Sequence, residues 1–358
     1  MGILKYLHRC MEIVFDEIIQ FFQLKPLLRK LDSDDYSWLM TLDGLTALLR
    51  PTLSFLLVFE VVVALVRKRY RHKHFVPQFL AYLFNRLMVS FVFIGSTAFW
   101  LGMFEPLRPF EVPFTWWGVV YALLVYELAV WVLHWASHKV RILWCVHATH
   151  HTSETMNIGV ATSNFILEMA YLLLFRTLIP TLLGVTPPLL LVALAVDGLW
   201  VRFSHVSEET LPNGRLGILN QVLMTPSRHR VHHARNPLYL DQNFSNTHLF
   251  WDWVFGTLQR EERGEKMEYG ITRPVNHANF IDFYMGEWFA LWRDVRKAPG
   301  LKNKLLYLVM PPGWSHAGDS KLAGDVRKDY LNRRGSVEKK AALVVGVGLL
   351  TLNTAAQA

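Results

Sequence analysis

The sequence predicts an all-α integral membrane protein with about four to five transmembrane helices and a cytosolic helical cap. Three observations predict it. Hydrophobic residues make up 52% of the 358-residue chain and charged residues only 18%, against about a quarter charged in an ordinary soluble domain. Several apolar stretches reach the roughly 20 residues that cross a bilayer. Nine of the 15 histidines fall between residues 134 and 233, close to the ends of those stretches. Cys10 and Cys145 are the only cysteines, which excludes a disulfide framework or a cysteine-rich zinc module. The net charge of +8 reads as Lys and Arg setting membrane orientation, not as nucleic-acid binding.

The elements follow in chain order. Residues 1–44 form an N-terminal amphipathic segment. Met11, Val14, Phe15, Ile18 and Phe22 share one face of a helix over 8–24, either lying on the membrane surface or packed on the protein. Mixed charges and the lack of a small-residue cleavage site argue against a signal peptide. The membrane domain covers 45–310. Its apolar stretches are 45–66, 77–101 and 114–135, then a pair at 164–183 and 187–203 joined by a turn containing Gly184, Pro187 and Pro188. The second arm of that pair is short, so it reads as a full or a re-entrant hairpin. A tail, 311–358, contains an apolar run at 341–352 that is short for a span.

Lys and Arg near the span ends give the orientation. The loop 67–74 holds Arg67, Lys68, Arg69, Arg71 and Lys73, whereas 102–113 holds only Arg108 and 181–188 has neither Lys nor Arg. The basic loop is expected in the cytoplasm and the other two outside. Residues 136–163 and 204–340 are then cytoplasmic, so every histidine cluster falls on one face. The membrane is a bacterial inner membrane or the endoplasmic reticulum.

Three boxes carry the chemistry: His134-x-x-x-His138, His147-x-x-His150-His151 and His229-x-x-His232-His233. Helix positions i, i+3 and i+4 share a face, and neutral imidazole suits iron, zinc and copper. Eight rings exceed one tetrahedral site and match a histidine-rich di-metal site. His205, at the end of the fifth stretch, is a ninth candidate, as a ligand or a supporting group. Asn243 and Asp252 are candidates to hold the outer N–H of a ligating ring. His8, His72, His74, His277 and His316 read as surface residues, and His248 stays open. No HExxH motif of a zinc hydrolase is present. A pair of redox metals that activates O2 beside an apolar channel is the leading reading. A zinc-dependent membrane hydrolase and a metal carrier remain alternatives.

The order of the boxes, with the last two separated by an apolar hairpin, resembles the fatty acid hydroxylase/sterol desaturase superfamily over about 115–260. The stretch TPSRHRVHHARNPLYLDQNFSNTHLFWDWVFGTL (225–258), with YGITRPVN (269–276) and PPGW (311–314), is most similar to its alkylglycerol monooxygenase branch. The resemblance implies two iron ions, O2 and external electrons, used to hydroxylate or desaturate a lipid C–H bond and in that branch to cleave an ether lipid. It implies the eight box histidines as iron ligands, and His205 matches a further histidine of several members. Sterol desaturation and acyl-chain or aminolipid hydroxylation are the alternatives within the superfamily. The branch implies tetrahydrobiopterin as reductant; a redox protein is the other source. The branch places an acidic residue after the first box, where this chain has Lys139. There is no haem-attachment or dinucleotide motif, so electrons arrive from outside the chain.

Overall fold

The structure is a computed structural model and describes residues 2–32, 35–92 and 96–336. The apolar run at 341–352 lies outside the described residues. Among them there is no strand. The only extended pairings are isolated bridges, Leu223 with His248 and Ala234 with Tyr269.

Helices α1 (Gly2–Phe21) and α2 (Leu24–Leu31) precede the long helices. On α1 the side chains of Met11, Val14, Phe15 and Ile18 are all exposed. Phe22, on the same face, stacks on the Phe55 ring at 4.3 Å, so the face is anchored at that end and bare from Met11 to Ile18. Helix α3 (Leu42–Val66) starts at Thr41, whose hydroxyl accepts from Gly44 N. Such a cap satisfies one of the donors a helix start leaves over. The next stretch is divided between α4 (His72–Val92) and α5 (Ser96–Phe104).

Helix α6 (Trp116–Lys139) is capped in the same way by Thr115 and runs directly into α7 (Arg141–His151). Helices α8 (Ile166–Leu182) and α9 (Pro187–Ser204) form the expected hairpin. Its turn uses Gly184 at φ 79°, where a Cβ would stand 2.3 Å from the Phe110 ring, so only glycine fits. Helices α10 (Pro226–His233), α11 (Phe250–Val254), α12 (Phe280–Lys297) and α13 (Gly300–Val309) follow.

Among the described residues, three helices are long and apolar enough to cross a bilayer: 47–66 of α3, α6 and α9. Helix α8 has 17 residues. At 1.5 Å per residue it reaches about 26 Å, short of a hydrocarbon core of about 30 Å.

Helix α6 is central and packs on α7, α8 and α9. Its Ala122, Val125, Tyr126 and Val130 form a core with Leu189, Leu190 and Ala193 of α9. A second core joins Ala81 of α4, Val146 of α7, Phe165, and Phe283 and Tyr284 of α12. The ends of the helices are sorted. Val112 N donates to Gly184 O and Tyr121 OH to Leu183 O, so the loops before α6 and between α8 and α9 meet at one end. At the other end, Ser207 N and Ile158 N donate to the two oxygens of Glu60. The basic loop after α3 therefore lies at the end where α6 and α9 finish. The remaining acidic residues inside apolar stretches, Glu127, Glu168 and Asp197, are buried and hydrogen-bonded, as membrane-depth charges require.

Candidate metal centre

The nine candidate histidines converge from four helices. Helix α6 delivers His134 and His138 on its last turns, α7 delivers its box on its last turn, and α10 ends in its own box. His205 is the residue that caps α9. All nine rings are buried. They fall into two groups: His134, His138, His147, His151 and His232 in one, and His150, His205, His229 and His233 in the other. Within each, one nitrogen per ring lies within 4.8 Å of every other.

Helical geometry explains the partition. In each HxxHH box the residues at i and i+4 enter one group and the residue at i+3 enters the other. Box 147–151 gives two rings to the first group and one to the second, and box 229–233 does the reverse. The two groups are thus interleaved across the same two helices.

Six rings are held from behind. His134 Nδ1 faces Phe244 O at 2.7 Å, His150 Nδ1 faces Val160 O at 3.0 Å, His205 Nδ1 faces Val201 O at 2.6 Å, and His232 Nδ1 faces Gln242 O at 2.9 Å. His147 Nδ1 lies 2.6 Å from Glu168 Oε1 and His138 Nδ1 lies 3.3 Å from Asp241 Oδ1. A carbonyl or carboxylate can only accept, so each Nδ1 carries the proton and Nε2 keeps its lone pair.

Those Nε2 atoms point inward and crowd one another. His134 and His147 approach at 3.1 Å, His147 and His151 at 3.0 Å, His151 and His232 at 3.1 Å. In the second group His150 and His205 approach at 3.2 Å, His205 and His229 at 3.0 Å, His229 and His233 at 3.1 Å. Two nitrogens bound at right angles about 2.1 Å from one ion stand about 3.0 Å apart. His138 Nε2 is buried with no partner. Burial holds His150, His151, His229, His232 and His233 well below the ordinary histidine pKa, with His147 lowered to about 3 and His205 to about 4. Neutral rings with inward lone pairs form a donor set that fits a metal, and all-nitrogen groups suit iron, zinc or copper.

The loops that hold the rings are themselves pinned. Asp252 accepts from Phe244 N, Ser245 N, Trp131 Nε1 and Thr257 Oγ1. Asn243, at φ 57°, donates to Arg228 O and Gln259 O. Neither touches a histidine ring, so the expectation that they hold a ring N–H is corrected. They fix the backbone whose carbonyls do so. The carboxylates that do meet rings are Glu168 and Asp241. Burial pushes the Asp241 carboxyl up, but hydrogen bonds from His138 and Lys139 and the charge of Lys139 outweigh it and hold it below its usual range. Arg230, fully buried, donates to Val206 O, Leu211 O and Pro212 O and ties the His205 loop to α10.

Two further expectations change. His74 is buried rather than on the surface, and its ring centroid lies 6.3 Å from that of His277. The His277 side chain is only 11% exposed and faces Glu154 at 3.6 Å. His248 belongs to neither ring group.

Residues 119–257, which include all nine rings, match the fatty acid hydroxylase family model; the chain carries a fatty acid hydroxylase domain. Alkylglycerol monooxygenase of Homo sapiens is 34% identical over 206 residues, covering 58% of this chain and 44% of that protein. The Xenopus tropicalis protein of the same name is 32% identical over the same shares. Ornithine lipid hydroxylase of Rhizobium tropici is 26% identical over 158 residues, 44% of this chain and 46% of that protein. The match thus spans less than half the length of these relatives. No solved structure matches the chain.

Proposed function

We propose that this chain, through its fatty acid hydroxylase domain, is a membrane-bound di-iron oxygenase that hydroxylates a C–H bond of a lipid with O2 and electrons from outside the chain. One observation supports this above the rest. Two interleaved groups of five and four neutral imidazoles sit at one end of helices able to cross a bilayer. Iron ions held by His134, His138, His147, His151 and His232 and by His150, His205, His229 and His233 would supply O2 activation there.

The chain's own residues do the rest. Glu168, Asp241 and four backbone carbonyls keep each tethered ring in one tautomer. Asp252, Asn243 and Arg230 keep those carbonyls still, since a displacement of about 1 Å can cost a hundredfold in rate. The apolar helices keep water from the reacting carbon and admit a lipid from the bilayer. Insertion of one oxygen atom into C–H, with the other reduced to water by two electrons and two protons, gives an alcohol. At the carbon beside an ether oxygen that alcohol is a hemiacetal, which separates into an aldehyde and a free alcohol. The site faces the cytoplasm on this reading, and the reductant is tetrahydrobiopterin or a redox protein.

The test is metal analysis of the purified protein together with lipid mass spectrometry under 18O2. About two irons per chain and 18O-labelled lipid product are expected. Zinc with oxygen-independent cleavage, or an active sample without transition metal, overturns the reading.

A further inference from the structure

Residues 244–257 follow the last histidine box, and the charge pattern of the sequence puts them in the cytoplasm with the rest of 204–340. Their hydrogen bonds put them elsewhere. The segment leaves the metal centre at Phe244, whose carbonyl lies 2.7 Å from His134 Nδ1. It then runs back along α6, against the direction of that helix. Asn246 N and Thr247 N donate to Glu127 Oε1 at 2.5 and 2.9 Å, and Trp251 Nε1 donates to Leu124 O at 2.9 Å. Helix α11 brings the chain round again, so that the Phe255 ring stacks on Trp131 at 4.1 Å. The segment is a hairpin laid on α6 with its tip at Leu124.

That tip is deep. At 1.5 Å per residue, Leu124 stands about 22 Å from the end of α6 at Lys139, and a hydrocarbon core is about 30 Å thick. Trp116 and Trp117 are exposed at the opposite end of α6, where tryptophans mark a membrane–water boundary. With α6 across a bilayer, the hairpin passes the midpoint of the helix.

The composition fits that depth. There is no Lys or Arg between Arg235 and Arg260. A second segment pairs with the hairpin: Leu249 N donates to Val222 O at 2.9 Å and Met224 N to Thr247 O at 2.8 Å. It too has no Lys or Arg between Arg215 and Arg228. On the outside, Phe250, Trp253, Val254 and Phe255 of the hairpin and Ile218 and Val222 of its neighbour are exposed, Trp253 by 69%. An apolar face of this breadth marks a contact surface. It continues the surface of α6, which is exposed at Val120 and Val132 and covered between them. The polar groups turn inward. Asp252 accepts from Phe244 N and Ser245 N, and Asn246 Nδ2 donates to Asp197 Oδ1 at 2.8 Å. Non-helical backbone is tolerated at membrane depth only where the protein supplies its partners. Glu127 and Asp197, the acidic residues in the middle of α6 and α9, supply them here.

We propose that residues 244–257, with 217–224 beside them, form a re-entrant hairpin sunk among the acyl chains of the bilayer, which cover its exposed aromatic face. The inference requires α6 to cross a membrane, and it requires neither iron nor any particular reaction. It places the carbonyl that orients His134 on an element immersed in lipid.

The test uses the full-length protein in nanodiscs holding one chain each, with Cys10 replaced by Ser; Cys145 is buried and stays. Bimane is attached, one site at a time, through Trp253→Cys, Val222→Cys, Val196→Cys and Arg260→Cys. Val196, exposed in the middle of α9, is the lipid reference, and exposed Arg260 is the water reference. Lipids brominated midway along their acyl chains are expected to quench bimane at 253 and 222 several-fold, as at 196, while aqueous iodide quenches only the 260 label. Two reporters on two segments keep the outcome readable if one variant fails to fold. Quenching by iodide rather than bromolipid at both 253 and 222 overturns the proposal. So does protection from iodide that appears only in vesicles crowded with protein, since a second copy then covers the face. Iodide quenching at 196 overturns it as well, by taking the helices out of the membrane. Bromolipid quenching at 253 and 222 in a sample that oxidises no lipid would count against the oxygenase reading and leave the hairpin standing.

Discussion

His147 Nδ1 stands 2.6 Å from Oε1 of Glu168, which joins a ring of the metal centre to a carboxylate on the first turn of α8. The amide in Glu168→Gln can still accept this hydrogen bond but removes the charge that raises ring basicity. Loss of such a partner typically lowers metal affinity 10- to 100-fold. Chelator titration of the iron-loaded protein should show a drop of that size, with helix content by circular dichroism unchanged.

The box histidines should respond as ligands. His150→Ala removes one of the four rings in the second group. We expect lipid turnover to be abolished and iron per chain to fall well below two. His316→Ala should match the wild type in both measurements, because His316 is exposed, belongs to neither ring group and hydrogen-bonds to the Tyr307 hydroxyl. Wild-type turnover in His150→Ala would count heavily against the ligand assignment.

Asp252→Ala leaves the buried Phe244 N and Ser245 N without an acceptor and leaves Trp131 Nε1 only its longer bond to Thr257 Oγ1. Each orphaned group costs about 1–3 kcal/mol. A loss of about 3–5 kcal/mol is expected, read as a clear fall in the thermal unfolding midpoint. Asp252→Asn should recover part of it.

The exposed apolar face of α1 should sit in lipid. A nitroxide attached through Phe15→Cys, in a chain with Cys10 replaced by Ser, is expected to be more accessible to O2 than to a water-soluble nickel chelate. The opposite ranking would place this helix in water.

Much of the centre could be read from sequence because i, i+3 and i+4 spacing is a local property of one helix. The three boxes and the ring at the end of α9 follow from it. What could not be read is pairing at long range. Glu168 is 21 residues from His147, and Asp241 is 103 from His138. Glu168 was visible as an acidic residue in an apolar stretch, a sign of buried function, but nothing local names its partner. Asn243 and Asp252 lie near the last box in sequence, yet their bonds go to backbone groups and, for Asp252, also to Trp131 and Thr257. His74 lies in a basic run that reads as solvated; packing beside His277 buries it. Among the described residues three helices have spanning length and composition, and α8 falls short because it runs only from Ile166 to Leu182 inside the apolar run 164–183.

The crossed contribution of α7 and α10 has a consequence for assembly. Neither ion position can be completed by one helix, and seating either ion draws both helices together and so preforms the other position. Loading should therefore be cooperative. At half-saturating iron, doubly filled and empty chains should dominate over singly filled ones in native mass spectra, and a lesion at one position should weaken retention at both.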